Sequence, residues 1–190
     1  MKNLLLLLFA FLGSYSFSIS QSYNLFKSDE LLAYIDECRK LTDGIAIGSE
    51  FPEFEFIDLT GDSLKNDDFE NKLIVLNTWF VGCTGCKQEE ENLKMLTEEF
   101  KDRDDIIFLS FAMSSPQKIE RYFAKRGDFG YKTASVDRKW ISENLKIELS
   151  PTHYIIKDGI LVELISMSIA LPQLLDWYQN RILEFAPKSK

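Results

Sequence analysis

The most continuous apolar segment of the chain covers residues 73–80, which are almost all aliphatic, β-branched or aromatic. Such a run is typical of a parallel strand that is buried on both faces. Residues 87–100 follow with apolar positions three and four apart, which predicts a helix. Residues 106–113 form a second apolar run. This order predicts a βαβ unit with a right-handed crossover.

Weaker patterns flank this unit. Residues 28–41 predict a helix that begins at Ser28 and has one apolar face, made of Leu31, Leu32, Ile35 and Cys38. A small hairpin is expected from residues 54–59 and the region of Leu64, and later elements are a helix over 116–125, a strand over 133–136 and a helix over 140–146. Residues 153–156 and 160–165 predict a hairpin with an Asp-Gly turn, and a helix over 171–185 closes the chain. We expect an α/β fold with a mixed central sheet and helices on both faces.

The first twenty residues carry one lysine, an apolar core over residues 4–12 and several small residues, as in a secretory signal peptide. This core is too short to span a bilayer, which needs roughly 20 helical residues. We therefore expect a signal peptide at 1–20, a helical extension at 21–45 and one domain at 46–186. The mature chain is expected to be exported to the periplasm or cell envelope, without stable membrane insertion.

The charge and the cysteine count exclude some classes of protein. The net charge is −8, which disfavours binding to nucleic acid and to anionic lipid. Three cysteines leave at least one thiol unpaired, so the chain is not a disulfide-stapled scaffold. Cys38 lies on the apolar face of its predicted helix, where a small buried hydrophobic residue is the simplest interpretation.

Cys83 and Cys86 stand where the buried strand turns into a helix. The N-H groups and the dipole at a helix N-terminus favour a thiolate and lower the pKa of the first cysteine, and two thiols at this spacing can form a reversible disulfide. The alternatives are a purely structural disulfide and half of a zinc site, since C-x-x-C also suits zinc. Cys83, at the more exposed position, is the predicted nucleophile, and Cys86 is the resolving thiol.

Helical spacing alone predicts the orientation of Glu89. It falls on the stripe formed by Cys86, Leu93, Leu96 and Phe100, so its carboxyl group is predicted to face inward near Cys86, whereas Glu90 and Glu91 point elsewhere. A desolvated carboxyl group there is suited to exchange a proton with a buried thiol. The alternative is a surface glutamate at a helix start.

Pro151 follows Ser150 and precedes a strand, a place where proline can adopt a cis peptide bond; an ordinary trans turn proline is the alternative. Trp79 is predicted to pack under the cysteines. His153 is the only histidine, and a structural role or a place in a groove suits it better than catalysis.

The chain resembles the TlpA/ResA-type exported thiol-disulfide oxidoreductases, which are thioredoxin-like, over roughly residues 46–184. The matching positions are Gly48, Pro52, Asn77, Trp79, Cys83, Cys86, Glu89, Pro151 and Thr152. The resemblance implies a thioredoxin-like fold, no dissociable cofactor and no metal. It implies that Trp79, Ser150, Pro151 and Thr152 shape a groove for a protein disulfide substrate, and that an upstream donor supplies electrons.

The chain departs from this family at three positions. Gly82 replaces the aromatic residue usual before the first cysteine, no proline stands between the cysteines, and Glu91 occupies a frequent proline position. The Thr-Gly dipeptide supplies no cation, and Glu89 to Glu91 add negative potential that only Lys87 opposes. We therefore expect a relatively reducing couple that reduces protein disulfides. The alternatives are a non-catalytic binding module and a peroxiredoxin-like peroxidase, although the chain has no P-x-x-x-T-x-x-C pattern.

Overall fold

The computed structural model describes residues 28–187. The chain divides into two compact units, with the boundary in the sequence between Tyr34 and Ile35. Of the first unit the structure describes only residues 28–34, the first turns of helix α1 (Ser28–Leu41). The predicted signal peptide lies outside the described residues, and the domain bounds stay predictions. No helix within residues 28–187 has both the length and the apolar character needed to cross a membrane.

The second unit contains the elements that the sequence predicts. After α1 come β1 (Glu55–Ile57), β2 (Ser63–Lys65), a 3-10 turn (Asn66–Phe69), β3 (Leu73–Trp79), α2 (Thr84–Gln88), α3 (Glu90–Glu99), β4 (Ile106–Ala112), α4 (Pro116–Arg126), β5 (Lys132–Ser135), α5 (Arg138–Trp140) with a π turn (Ile141–Leu145), β6 (Thr152–Lys157), β7 (Ile160–Ile165) and α6 (Pro172–Phe185). One difference concerns the helix predicted over residues 87–100. In the structure this segment belongs to two helices, α2 and α3, which are separated at Glu89.

Five strands form the central sheet in the order β5-β4-β3-β6-β7. Strands β3, β4 and β5 run parallel, whereas β6 is antiparallel to β3 and β7 is antiparallel to β6. The predicted mixed sheet and the βαβ unit are therefore confirmed. Strand β3 lies in the middle and is buried along its whole length, which explains its continuous apolar run.

Side chains of β3 alternate between two differently covered faces. Ile74 and Leu76 belong to a hydrophobic cluster that includes Leu145 of the π turn. On the opposite face, Trp79 packs against aromatic rings of α4, and Asn77 contacts Glu89 at the break between α2 and α3. Helices therefore cover both faces of the sheet. Asn77 and Glu89 lie on the same face as Trp79.

The apolar face of α1 is narrower than predicted. Ile35 is fully buried, but Leu32 is exposed. Cys38 is a free thiol of intermediate exposure rather than a fully buried residue. Cys38 is therefore partly buried, and the prediction of a fully buried hydrophobic residue is wrong.

A fully buried carboxylate, Glu163 on β7, ties α1 to α6. Arg39 donates to it from Nε at 3.1 Å and from Nη2 at 2.5 Å. Arg181 of α6 donates from Nε to Glu163 Oε2 at 2.8 Å, and the backbone N-H of Leu164 donates to Oε1 at 3.2 Å. Two cations therefore compensate the charge that folding removes from water.

Candidate active site

Cys83 and Cys86 form a disulfide immediately after β3. Cys83 is the N-cap of α2, and its Sγ accepts a hydrogen bond from the backbone N-H of Cys86 at 3.1 Å. The two residues are 7% and 6% exposed, so the oxidised protein does not show the expected difference in exposure between them. Cys83 differs from Cys86 in that a backbone N-H group donates to its sulfur. Such a donor stabilises a thiolate.

The Ser150–Pro151 bond is cis, as predicted, and this segment faces the disulfide. The carbonyl oxygen of Ser150 lies 3.6 Å from Cys83 Sγ, where it can accept a hydrogen bond from the reduced thiol. A Cβ atom at Gly85 would lie 3.0 Å from Pro151 Cδ. The proline ring therefore lies directly on the dipeptide between the cysteines, and glycine fits there because it has no side chain.

Thr152 lies behind this segment rather than at the surface. It is fully buried, and its Oγ1 donates to the carbonyl of Leu149 at 3.0 Å and lies 2.9 Å from Ser166 Oγ. The threonine hydroxyl therefore fixes the loop that carries Ser150 and Pro151.

The backbone explains why Gly82 replaces the aromatic residue of the resembled family. Its φ is +105°, a region that residues with a side chain rarely adopt, although nothing lies within 4 Å of where a Cβ would be. The constraint at this position is conformational and not a lack of space.

The predicted inward orientation of Glu89 is confirmed, since the residue is fully buried. Its Oε2 accepts a hydrogen bond from the backbone N-H of Ile169 at 2.9 Å and lies 3.1 Å from His153 Nε2. Its Oε1 accepts from Asn77 Nδ2 at 3.4 Å. Asn77 and His153 face each other in the register of β3 and β6. A buried carboxylate therefore has donors from three parts of the chain.

Glu90 differs from its prediction. It does point away from Glu89, but it is only 2% exposed and accepts hydrogen bonds from Arg126 Nε at 2.6 Å and from the Tyr122 hydroxyl. Glu91 is exposed and paired with Lys94 at 2.8 Å. The expectation that only Lys87 opposes the negative charge of these glutamates is therefore wrong, because Arg126 of α4 pairs with Glu90 and Lys94 of α3 pairs with Glu91.

Trp79, the last residue of β3, is a buried core residue. It is 2% exposed, and its Nε1 donates to Ser110 Oγ at 2.6 Å. Its ring packs against Tyr122, Phe123 and Phe129. The position of Trp79 under the cysteines stays a prediction, and its burial does not agree with the grouping of Trp79 among residues that touch a substrate.

The segment after β7 is part of the site, and sequence reasoning missed it. Ser168 Oγ donates to the carbonyl of Gly85 at 3.0 Å, the N-H of Ile169 reaches Glu89, and Asn92 Nδ2 donates to the carbonyl of Ile169 at 2.6 Å. These contacts join residues about 80 positions apart. They depend on one hydroxyl and on backbone groups, so no sequence signal could have found them.

Within the described part of the chain, no group of three or more histidine, cysteine, aspartate or glutamate side chains is placed to hold a metal ion. The chemistry that the geometry offers is that of the two sulfurs. One has a stabilising N-H donor, both lie beside Pro151, and a buried carboxylate follows on the same helical stripe.

The sheet order, the C-x-x-C pair at a helix start and the cis-proline opposite it define the protein as thioredoxin-like. The chain belongs to the AhpC/TSA family, which matches residues 47–164. It is 26% identical to the thioredoxin-like protein YneN of Bacillus subtilis, over 63% of this chain and 71% of that one. It is 27% identical to the thiol-disulfide oxidoreductase ResA of Bacillus cereus, over 62% and 68%. A solved thiol:disulfide interchange protein from Bacteroides sp. shares the fold, with a TM-score of 0.62 and 20% identity over 77% of this chain and 93% of that one.

Proposed function

We propose that this protein is a thiol-disulfide oxidoreductase that exchanges the Cys83–Cys86 disulfide with cysteine pairs of protein substrates. The observation that carries the proposal is the disulfide itself, placed at the start of α2 with the N-H of Cys86 on Cys83 Sγ and with Pro151 against Gly85. The similarity to ResA and YneN supports it.

The reaction begins with the reduced protein. The Cys83 thiolate attacks one sulfur of a substrate disulfide; a mixed disulfide forms, and the substrate's S–S bond breaks to release one thiolate, which takes up a proton. Cys86 then loses its proton and attacks Cys83 Sγ, so the mixed disulfide breaks and the second substrate thiol leaves. The substrate gains two electrons, and the protein ends with the Cys83–Cys86 disulfide.

Glu89 is the acceptor for the proton of Cys86 in this scheme. It is buried, it lies one helical turn beyond Cys86, and proton transfer to a positioned carboxylate assists such a step. Ser150 and Pro151 form the surface against which the substrate lies, with Thr152 fixing them from behind.

The direction we propose is reduction of protein disulfides. Thiolate stabilisation makes a couple more oxidising, and the Thr-Gly dipeptide adds no cation to favour the thiolate. A dithiol donor must then restore the reduced form. The apolar segment over residues 4–12 supports export to the periplasm or envelope, where such a donor would act.

The midpoint potential of the couple tests this function. The full chain, with Cys38 changed to serine, is equilibrated in defined dithiol buffers, and free thiols are counted by alkylation. We expect one reversible two-electron transition below about −230 mV, near or under the glutaredoxin range. A potential near −120 mV would make the protein an oxidant, and the absence of any transition would refute the redox function.

One variant, used in two assays, separates the alternatives. Cys83→Ser should abolish both the transition and the reduction of a protein disulfide such as insulin, whereas a binding module would keep its partner after this change. Reduced protein should consume hydrogen peroxide no faster than Cys83→Ser does. Faster consumption would favour the peroxidase.

A further inference from the structure

Three polar side chains form a buried group that is joined by hydrogen bonds: Asn77 on β3, His153 on β6 and Glu89 at the helix break. All three are at most 1% exposed. Asn77 Nδ2 lies 3.4 Å from Glu89 Oε1 and 3.3 Å from His153 Nδ1, and His153 Nε2 lies 3.1 Å from Glu89 Oε2. The proposed exchange reaction assigns a role to Glu89 but none to His153.

The hydrogen-bond inventory determines which ring nitrogen carries the hydrogen. An amide nitrogen donates two hydrogens and accepts none, so Asn77 Nδ2 donates to Glu89 Oε1 and to His153 Nδ1. His153 Nδ1 is then unprotonated, and a neutral imidazole with this acceptor carries its hydrogen on Nε2, which points at Glu89 Oε2. This orientation leaves Asn77 Oδ1 without a partner among the described residues, whereas the opposite orientation would set Oδ1 against a carboxylate oxygen of Glu89. The arrangement satisfies an ionised Glu89.

We propose that His153 is a positioning residue for the exchange reaction: as the neutral Nε2-H tautomer, it holds Glu89 as the carboxylate that accepts the proton of Cys86. This inference rests on the proposed function. The proton passes from Cys86 Sγ to Glu89, and the electron pair left on sulfur forms the bond to Cys83 Sγ. His153 touches neither sulfur in this step and acts only through Glu89.

Other titratable groups surround this trio. Tyr178 of α6 has its ring centroid 5.3 Å from that of His153, and Tyr131 precedes β5. Burial raises the pKa of both phenols well above its usual range, and the negative charge of Glu89 adds to this increase. Glu163, which also acts on Tyr178, is held by two arginines. Both tyrosines therefore stay protonated near neutral pH and carry no charge that could act on this trio.

The test separates attack from resolution. Reduced protein carrying Cys38→Ser is mixed with the aromatic disulfide DTNB in a stopped-flow instrument. Cys83 releases the first thionitrobenzoate in a bimolecular phase, and Cys86 releases the second in a unimolecular phase. We expect His153→Leu to slow the second phase on the order of ten-fold and to change its pH profile, while the first phase is unchanged. His153→Gln keeps an N-H donor and should restore most of the rate.

The control is Thr133→Val, which removes a buried hydroxyl from the same sheet and should leave both phases unchanged. Normal resolution in His153→Leu at every pH would overturn the inference while leaving the function intact. A wild-type protein without a second phase would instead refute the function.

A second measurement needs no variant. The chain has a single histidine, so ¹⁵N NMR of untagged, histidine-labelled protein gives one ring to assign. We expect Nε2 to be protonated and Nδ1 to be unprotonated at neutral pH. An Nδ1-H tautomer or an imidazolium would overturn the inference, even if His153→Leu fails to fold.

Discussion

Removing one of the two arginines that hold Glu163 should destabilise the protein by a measurable but limited amount. Arg39→Met deletes the donors at 3.1 and 2.5 Å, while Arg181 at 2.8 Å and the Leu164 N-H at 3.2 Å remain on the carboxylate. Methionine keeps an aliphatic chain over Trp177, whose ring centroid lies 5.4 Å from the arginine Cζ.

The expected loss of stability depends on the contacts that remain on Glu163. Breaking a fully buried ion pair costs about 3–5 kcal/mol. The Arg39 side chain is 29% exposed and a second arginine compensates Glu163, so we expect roughly half of this, about 2 kcal/mol. For a chain of this size, the thermal midpoint should fall by about 4–8 °C.

The assay is urea unfolding of the full chain near neutral pH, followed by circular dichroism. The matched control is Lys40→Met, the neighbouring cation of α1, whose partner Glu37 is exposed. It should leave the midpoint unchanged, because exposed pairs are screened. If Arg39→Met also leaves the midpoint unchanged, the argument that Glu163 needs both cations is refuted. An equal loss in Lys40→Met would attribute the effect to the helix and not to the buried pair.

Three further predictions concern single sites. Burial alone would raise the pKa of Asp58, but hydrogen bonds from Thr60 and Asp62 outweigh it and lower the pKa, so its stabilisation is present above the ordinary aspartate pKa and is lost as pH falls through the lowered value. Asp58→Asn should therefore flatten the loss of stability on acidification, and a parallel loss in both proteins would contradict this. Gly82→Trp should destabilise by about 1 kcal/mol or more despite open space, because of the positive φ; an unchanged urea midpoint would refute this. Ser110→Ala should cost about 1–3 kcal/mol, because the buried Trp79 N-H loses its acceptor, and a smaller loss would indicate that water replaces the hydroxyl.

The fold was largely predictable because it depends on periodicity. The run over residues 73–80 and the Asp-Gly turn report on burial and chain reversal directly, and both features are in the structure. The break at Glu89 was not predictable. The apolar stripe continues through it, so periodicity alone gives one continuous helix.

The site was predictable only where spacing along one element decides the outcome. Helical spacing places Glu89 inward. It cannot show that His153 lies opposite Asn77, because strand register depends on chain segments 76 residues apart. The burial of Glu90 was missed for a related reason, since a glutamate outside the apolar stripe becomes buried only when a distant cation, Arg126, meets it.

The contact between Gly85 and Pro151 limits how this redox centre can change. Thr84 is exposed, whereas position 85 is closed by the proline ring and by Ser168. A substitution at 84 therefore meets solvent, whereas a side chain at 85 requires the proline ring to shift. In a library that randomises both positions, active clones should vary at 84 and retain glycine at 85. A dipeptide from another enzyme that has a side chain at its second position would therefore disturb the packing against Pro151 as well as change the potential.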